Sequence, residues 1–144
     1  MFSKACEYGI RASIFIAEQS VSDNKVGLKE VANAIDSPEA YTSKILQQLT
    51  RSNIIHSEKG PNGGYFIHNA ELDAINLSAI VSAIDGDDIY KGCGLGFNNC
   101  DANKPCSIHY QFVKIRDELK HMLETTSLLT LSEDINEGLA FLRR

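Results

Sequence analysis

The pattern that most constrains the fold of this chain lies between residues 28 and 68. It begins with apolar residues at the spacing of a short amphipathic helix: Leu28, Val31, Ala32 and Ile35. Asp36 tolerates the left-handed backbone that ends a helix, and Ser37 and Pro38 supply an N-cap and a first position for the next helix. We predict that this next helix runs to about Arg51. Two helices joined by so tight a turn are typical of a helix-turn-helix.

A predicted β-hairpin follows directly. The β-branched and aromatic runs Ile54–Ser57 and Tyr65–His68 flank Lys59–Gly64, a segment dense in turn-forming residues. A helix-turn-helix followed at once by a hairpin is a winged helix, with Lys59 and Asn62 at the tip of the wing. The predicted fold class is therefore mainly α with a small β-wing.

The outward positions of the second helix carry mostly hydrogen-bonding side chains, of the kinds that contact base edges and phosphates. The residues concerned are Tyr41, Thr42, Ser43, Lys44, Gln47, Gln48 and Arg51. An ordinary solvated helix would carry more Glu and fewer Gln, Thr and Ser. The pattern predicts binding to double-stranded DNA through this helix, with Lys59 and Asn62 reaching a phosphate or the minor groove.

The charge distribution is compatible with DNA binding, although the net charge is −5. Up to Ala70 there are seven Lys or Arg and seven Asp or Glu, so the acidic excess lies wholly in the second half. A neutral first half can still present a basic face to a polyanion. No apolar run approaches the roughly 20 residues of a membrane span, and the first residues lack an apolar export segment. We therefore expect a cytoplasmic protein.

Further helical stripes surround the winged helix. The first helix is predicted from Ser3 to about Ser20, and another carries Leu77, Ile80, Val81 and Ile84 between an Asn76 N-cap and a Gly86 stop. A long late helix, ending near Thr125, has apolar residues at heptad-like spacing: Ile108, Phe112, Ile115, Leu119 and Met122. This stripe predicts packing against a second copy of the chain. The tail from Leu131 to Arg144 is expected to add a short helix.

These patterns divide the chain into four regions. Residues 1–70 form the predicted winged helix-turn-helix, and residues 71–90 form a connecting helix. Residues 91–107 form a cysteine-rich loop, and residues 108–144 form a dimerisation helix with a tail. The sequence offers no nucleophile with a base and an orienting group, and no phosphate-cradling loop beyond the wing. We do not expect an enzyme.

The loop carries three closely spaced cysteines. Six residues separate Cys93 from Cys100, five separate Cys100 from Cys106, and His109 follows after two more. Three thiolates and an imidazole suit zinc or an iron-sulfur cluster, and the wide first intervals favour a multi-iron cluster. Gly92, Gly94 and Gly96 let backbone amides approach the sulfurs. A zinc site, a thiol redox switch and unligated thiols remain the alternatives.

Other potential ligands are interpreted differently. Cys6 lies on the apolar stripe of the first helix, which favours a buried structural cysteine. Glu7 is interpreted as a solvated carboxylate. His56, His68 and His121 show no ligand spacing and are interpreted as surface residues.

Several segments together resemble the Rrf-type winged-helix transcriptional regulators, over almost the whole chain. They are Tyr8–Ala12, Val31–Ala32, Tyr41–Leu49 and, most specifically, the wing run Lys59–Tyr65. The three cysteines also fall where cluster-binding members have theirs. Lys59 stands where many relatives have arginine, and Ser43 stands where some have glutamate.

The resemblance implies a homodimer formed through the long last helix, which binds a palindromic operator. It also implies sensing of iron-sulfur supply, redox state or nitric oxide, in a family that includes repressors. Two fourth ligands are then open: His109 implies a two-iron cluster, and Glu7 of a partner subunit implies a four-iron cluster. Members without any cluster are the third alternative.

Overall fold

The computed structural model describes all residues from Met1 to Arg144 and confirms the mainly helical fold with a small wing. Three helices open the chain: α1 (Lys4–Val21), α2 (Leu28–Ala34) and α3 (Glu39–Arg51). The Ser3 hydroxyl accepts a hydrogen bond from the Cys6 amide and so caps α1. Asp36 has a φ of 52°, the left-handed conformation expected at the turn between α2 and α3. Pro38, rather than Ser37, occupies the N-cap position of α3.

The predicted hairpin is present as β1 (His56–Glu58) and β2 (Gly64–Phe66), which pair in antiparallel fashion with His56 opposite Phe66. Val26 forms an isolated β-bridge with Tyr65 of β2, which the sequence analysis did not predict. Its amide donates to the Tyr65 carbonyl at 3.1 Å, and the Tyr65 amide donates back at 2.7 Å. The wing is thereby fixed to the segment that precedes α2.

The second half contributes four helices: α4 (Leu77–Asp85), α5 (Asp88–Lys91), α6 (His109–Thr125) and α7 (Leu128–Asn136). The short helix α5 was not predicted, because four residues are too few to show a period. The predicted tail helix is present, but it begins earlier than residue 131, since the Ser127 hydroxyl caps it by accepting from the Thr130 amide.

The core forms around α1, which packs against α3, α4 and α7. Its largest fully buried side chains come from both halves of the chain and include Ile16, Leu46, Leu49, Ile80, Leu123 and Leu128. Because α6 and α7 contribute to this core, the second half is part of the same packed unit as the winged helix. None of the helices is long and apolar enough to cross a membrane.

Candidate nucleic-acid interface and cysteine loop

The solvent-facing side of α3 carries an amide and two cations. Lys44, Gln47 and Arg51 are exposed, and Ser43 is half-buried beside them. Arg51 lies in the last turn, where its Nε donates to the Gln47 carbonyl at 3.4 Å. These side chains are free to contact a partner because the opposite face of α3, with Ile45, Leu46 and Leu49, fills the core.

Two residues predicted on this outer face are directed elsewhere. Thr42 is fully buried and its hydroxyl donates to the Pro38 carbonyl at 2.9 Å, so the prediction of an outward Thr42 is wrong. The physical reason is helical geometry: Thr42 shares the i, i+3, i+4, i+7 stripe of the buried α3 residues.

Gln48 is half-buried and its Nε2 donates to the carbonyl of Ala83 in α4 at 2.9 Å. Its prediction as an outward residue free to contact bases is therefore also wrong. Tyr41 is half-buried as well, and its ring packs edge-on against Tyr8 of α1 with centroids 5.6 Å apart. Tyr8 is in turn held between Lys4 and Arg11, whose charged groups lie 5.2 and 5.0 Å from its ring centre.

The tip of the wing is exposed and tightly built. Lys59 and Asn62 are both exposed between β1 and β2, where the sequence placed them. Gly60 has a φ of 102°, which the turn requires and which other residues adopt only with strain. Lys59 is the cation of the hairpin turn itself. Lys25, below the tip, is already paired with Glu58 of β1.

In the cysteine loop, the structure places Cys100 beside His109. The Cys100 Sγ and the His109 Nδ1 are 3.4 Å apart, although nine positions separate the two residues along the chain. His109 is the first residue of α6 and only 7% of it is exposed. This histidine is therefore directed into the loop, and it is neither a free surface residue nor the helix N-cap.

The surroundings of Cys93 favour its thiolate form. The pKa of the Cys93 thiol is lowered, chiefly by the nearby backbone amides of Leu95 and Phe97 and in smaller part by the Cys106 thiol. Amide donors of this kind stabilise a thiolate, the form in which cysteine binds metal. All four cysteines of the chain are free thiols, and the three in the loop are half-exposed.

The loop lies on α6 and is fixed there at two points. Arg116 Nη1 donates to the Gly92 carbonyl at 2.9 Å. Gly94 lies so close to the Phe112 ring that a Cβ at Gly94 would come within 2.9 Å of it. Phe112 thus packs partly against the loop, whereas the sequence assigned it to a stripe facing another subunit.

The two remaining candidates, Cys6 and Glu7, lie on α1. Cys6 is fully buried, as the sequence predicted. Burial, together with the nearby Asp85 carboxylate, raises the pKa of the Cys6 thiol to about 12. Glu7 is exposed and forms an ion pair with Lys4 at 3.2 Å, one turn away.

These environments predict different thiol reactivities. At about pH 8, below the usual thiol pKa of about 8.5, Cys93 has the larger thiolate fraction because its pKa is lowered, whereas Cys6 remains protonated. We expect iodoacetamide to modify Cys93 in the native protein and to leave Cys6 unmodified. Peptide mass spectrometry over a pH series measures both rates. Modification of Cys6 as fast as Cys93 in folded protein would contradict this assignment.

A third group of ligands, which sequence reasoning missed, lies at the base of the wing. His56, His68 and Glu71 bring their ligand atoms within 4.8 Å of one another. His56 Nε2 and Glu71 Oε2 are 2.9 Å apart. The interpretation of His56 as a plain surface residue is thus wrong; His68 and His121 are exposed, as predicted. The available signal was the hairpin register, which puts His68 two positions beyond the partner of His56.

Comparison with known proteins identifies the family. Residues 2–134 match the family model Rrf2, described as an iron-dependent transcriptional regulator. The chain belongs to the Rrf2 family. The family assignment made from the sequence is therefore confirmed. Members of this family are transcriptional regulators and not enzymes.

Individual Rrf2 relatives are distant but similar over most of their length. The transcriptional regulator IscR of Erwinia tasmaniensis is 24% identical, over 90% of this chain and 74% of the relative. The regulator NsrR of Oceanobacillus iheyensis is 23% identical, over 96% of this chain and 94% of the relative. The solved structure of CymR, the global cysteine regulator of B. subtilis, superposes with a TM-score of 0.78 and 23% identity, covering 92% of this chain and 96% of CymR.

Proposed function

We propose that this Rrf2-family regulator is a homodimer that binds a palindromic operator through α3 and the wing, and that it responds to an iron-sulfur cluster held by Cys93, Cys100, Cys106 and His109. The observation that carries the proposal is the placement of Cys100 at 3.4 Å from His109, on a chain that also contains a complete winged helix. Iron-sulfur supply, redox state and nitric oxide are the signals that such a site suits.

DNA contact is assigned to the exposed residues of α3 and of the wing tip. Lys44 and Arg51 are suited to phosphates or guanine, and Gln47 to the hydrogen-bonding edge of adenine. Lys59 and Asn62 are suited to a phosphate or the minor groove. Thr42 and Gln48 are excluded from this set by their contacts within the protein.

The dimer is assigned to α6, which exposes apolar side chains along its length. Ile108 is 38% exposed, Ile115 60% and Met122 46%, whereas Leu123 is fully buried. Exposed apolar residues that recur every seven residues lie on one face of a helix, and such a face is typical of a helix that packs against a symmetric copy. A two-fold dimer presents two copies of α3, which is the geometry that a palindromic operator requires.

The donor set in the loop fits a cluster better than a single ion. One tetrahedral zinc ion brings its ligands within about 4 Å of one another, because each bond is only ~2.0–2.3 Å long. In the loop, Cys100 lies beside His109, but no three of the loop ligands lie within 4.8 Å of one another. When bound, a cluster supplies redox- and oxygen-sensitive iron chemistry.

Contacts between helices provide a route from the loop to the DNA-binding surface. Asn76, before α4, donates through Nδ2 to the Glu124 carbonyl in α6 at 2.7 Å. Gln48 of α3 donates to Ala83 near the end of α4. A change in the loop that shifts α6 is thus transmitted through α4 to α3. In energetic terms, the change in the loop shifts the populations of two arrangements of the DNA-binding helices.

A thiol switch is the second candidate function, favoured by the lowered pKa of Cys93, to which the Cys106 thiol contributes. In that case a peroxide accepts two electrons while both thiols lose their protons and form a disulfide. Anaerobic purification followed by iron and sulfide assays separates the two functions. Bound iron with sulfide and visible absorption supports the cluster. Colourless protein that forms a Cys93–Cys106 disulfide when it is treated with a peroxide supports the switch. Zinc in place of iron contradicts both candidate functions.

DNA binding is tested most directly at the wing tip. Selection from random duplex DNA with full-length protein first supplies an operator. We expect Lys59→Ala to weaken binding to operator and to random DNA alike. It should reduce the slope of log K against log salt by about 1.8 per dimer, because the dimer has two wings and each lost phosphate contact accounts for about 0.9. Fluorescence anisotropy over a salt series measures both.

Lys120→Ala is the matched control, because Lys120 is an exposed cation on α6 that pairs only with Glu124. It should leave the salt slope unchanged. An unchanged slope and affinity for Lys59→Ala would mean that the wing does not touch DNA.

A further inference from the structure

Two histidines and a glutamate converge at the base of the wing, and nothing in the proposed function uses them. His56 lies at the start of β1, His68 follows β2, and Glu71 ends the 3₁₀ turn Asn69–Glu71. The ligand atoms of the three side chains all lie within 4.8 Å of one another. Two segments of the chain, the start of β1 and the turn 68–71, therefore meet at one cluster of ligands.

The chemistry of the cluster is that of a transition-metal site. Imidazole nitrogen and carboxylate oxygen are ligands of Zn²⁺, and two histidines with one carboxylate leave a fourth tetrahedral position for water. His56 and Glu71 are 33% and 40% exposed at their side chains, and His68 is exposed, so an ion can enter from solvent.

The surrounding residues hold the two imidazoles in place. The rings of His56 and His68 lie 4.7 Å apart between centroids, and both pack against Phe66, at 5.5 and 5.2 Å. Lys25 also contacts Phe66: its Nζ lies 4.9 Å from the centre of that ring and pairs with Glu58. The positive charge of Lys25 is thus neutralised by Glu58 and does not occupy the Glu71 carboxylate.

We propose that His56, His68 and Glu71 bind one divalent transition-metal ion, with Zn²⁺ as the best-matched occupant. The ion replaces the hydrogen bond between His56 and Glu71 and ties β1 to the segment that leads into α4. Small side-chain rotations suffice, because the three ligand atoms are already neighbours. None of the three ligands is among the residues assigned to the cysteine loop or to DNA contact.

The test uses full-length protein in which Cys93, Cys100 and Cys106 are all replaced by serine, so that the loop thiols cannot bind the probe. After treatment with a chelator and desalting, Zn²⁺ is titrated by isothermal calorimetry. We expect one Zn²⁺ per chain. His68→Gln and Glu71→Gln should each weaken binding by at least about tenfold, since loss even of a group that only supports a ligand typically costs ~10–100-fold.

His121→Gln is the matched control, because His121 is exposed on α6 and is not part of the cluster. It should bind Zn²⁺ as tightly as the parent protein. Circular dichroism verifies that each variant is folded, and Glu71→Gln preserves size, so it remains informative where a histidine variant unfolds. Absence of stoichiometric binding in the parent, or equal affinity in the Glu71→Gln variant, would overturn the proposal.

Discussion

Replacement of Cys100 by serine is expected to remove essentially all bound iron from the anaerobically purified protein. Cys100 is the cysteine placed against His109, at 3.4 Å, so its loss removes the sulfur of that ligand pair. A serine hydroxyl stays protonated at neutral pH, whereas the thiolate is the form that binds iron. Iron and sulfide content and visible absorption, measured per chain, check this expectation.

Cys6→Ala is the control for Cys100→Ser, because Cys6 is fully buried and its thiol, with a pKa of about 12, stays protonated. It should retain the iron of the unmodified protein. Full iron content in the Cys100→Ser variant would show that the loop does not hold the cluster in the proposed way.

The same measurement on two further variants distinguishes the two candidates for the fourth ligand. His109→Ala should lose iron, and Glu7→Gln should retain it, because His109 is buried in the loop whereas Glu7 is exposed and paired with Lys4. The opposite result would favour a carboxylate from the partner subunit and the four-iron alternative.

Gly63→Ala is expected to disrupt the wing. A Cβ at Gly63 would overlap the carbonyl oxygen of Glu58 and come within 2.8 Å of the carbonyl carbons of Glu58 and Lys59. These are backbone atoms of the same hairpin, so no change of rotamer relieves the overlap. Forcing an extra methyl group into a filled space costs about 1–3 kcal/mol or more, which a two-stranded hairpin cannot absorb without opening. Hydrogen exchange of the Tyr65 and Phe66 amides should accelerate, and DNA affinity should fall.

Gly27→Ala is the matched control for this steric argument. Gly27 adjoins Val26, which bridges the wing, but a Cβ there meets only Glu30 Oε1 at 3.7 Å, an ordinary contact. Its effect on wing exchange should be small. Wing amides that exchange equally slowly in Gly63→Ala and in the unmodified protein would contradict the predicted clash.

Local features of this fold could be predicted from sequence because they depend on near neighbours in the chain. The stripe of α1, the left-handed Asp36 and the turn residues around Gly60 each act over a few positions, and each is present in the structure. The ends of the helices were predicted less accurately. Pro38 replaced Ser37 as the N-cap, and α7 began at Leu128, because capping depends on local hydrogen bonds that a pattern does not resolve.

The sequence by itself determined the helix-turn-helix, the wing and the spacing of the cysteine loop, since hydrophobic period, turn residues and ligand spacing are all local properties. Only the tertiary structure decided which polar residues remain available to a partner. Thr42 and Gln48 are held within the protein, His109 is turned towards Cys100, and His56 meets His68 and Glu71. These outcomes depend on how distant segments pack, and packing sets side-chain contacts that no spacing along a chain encodes.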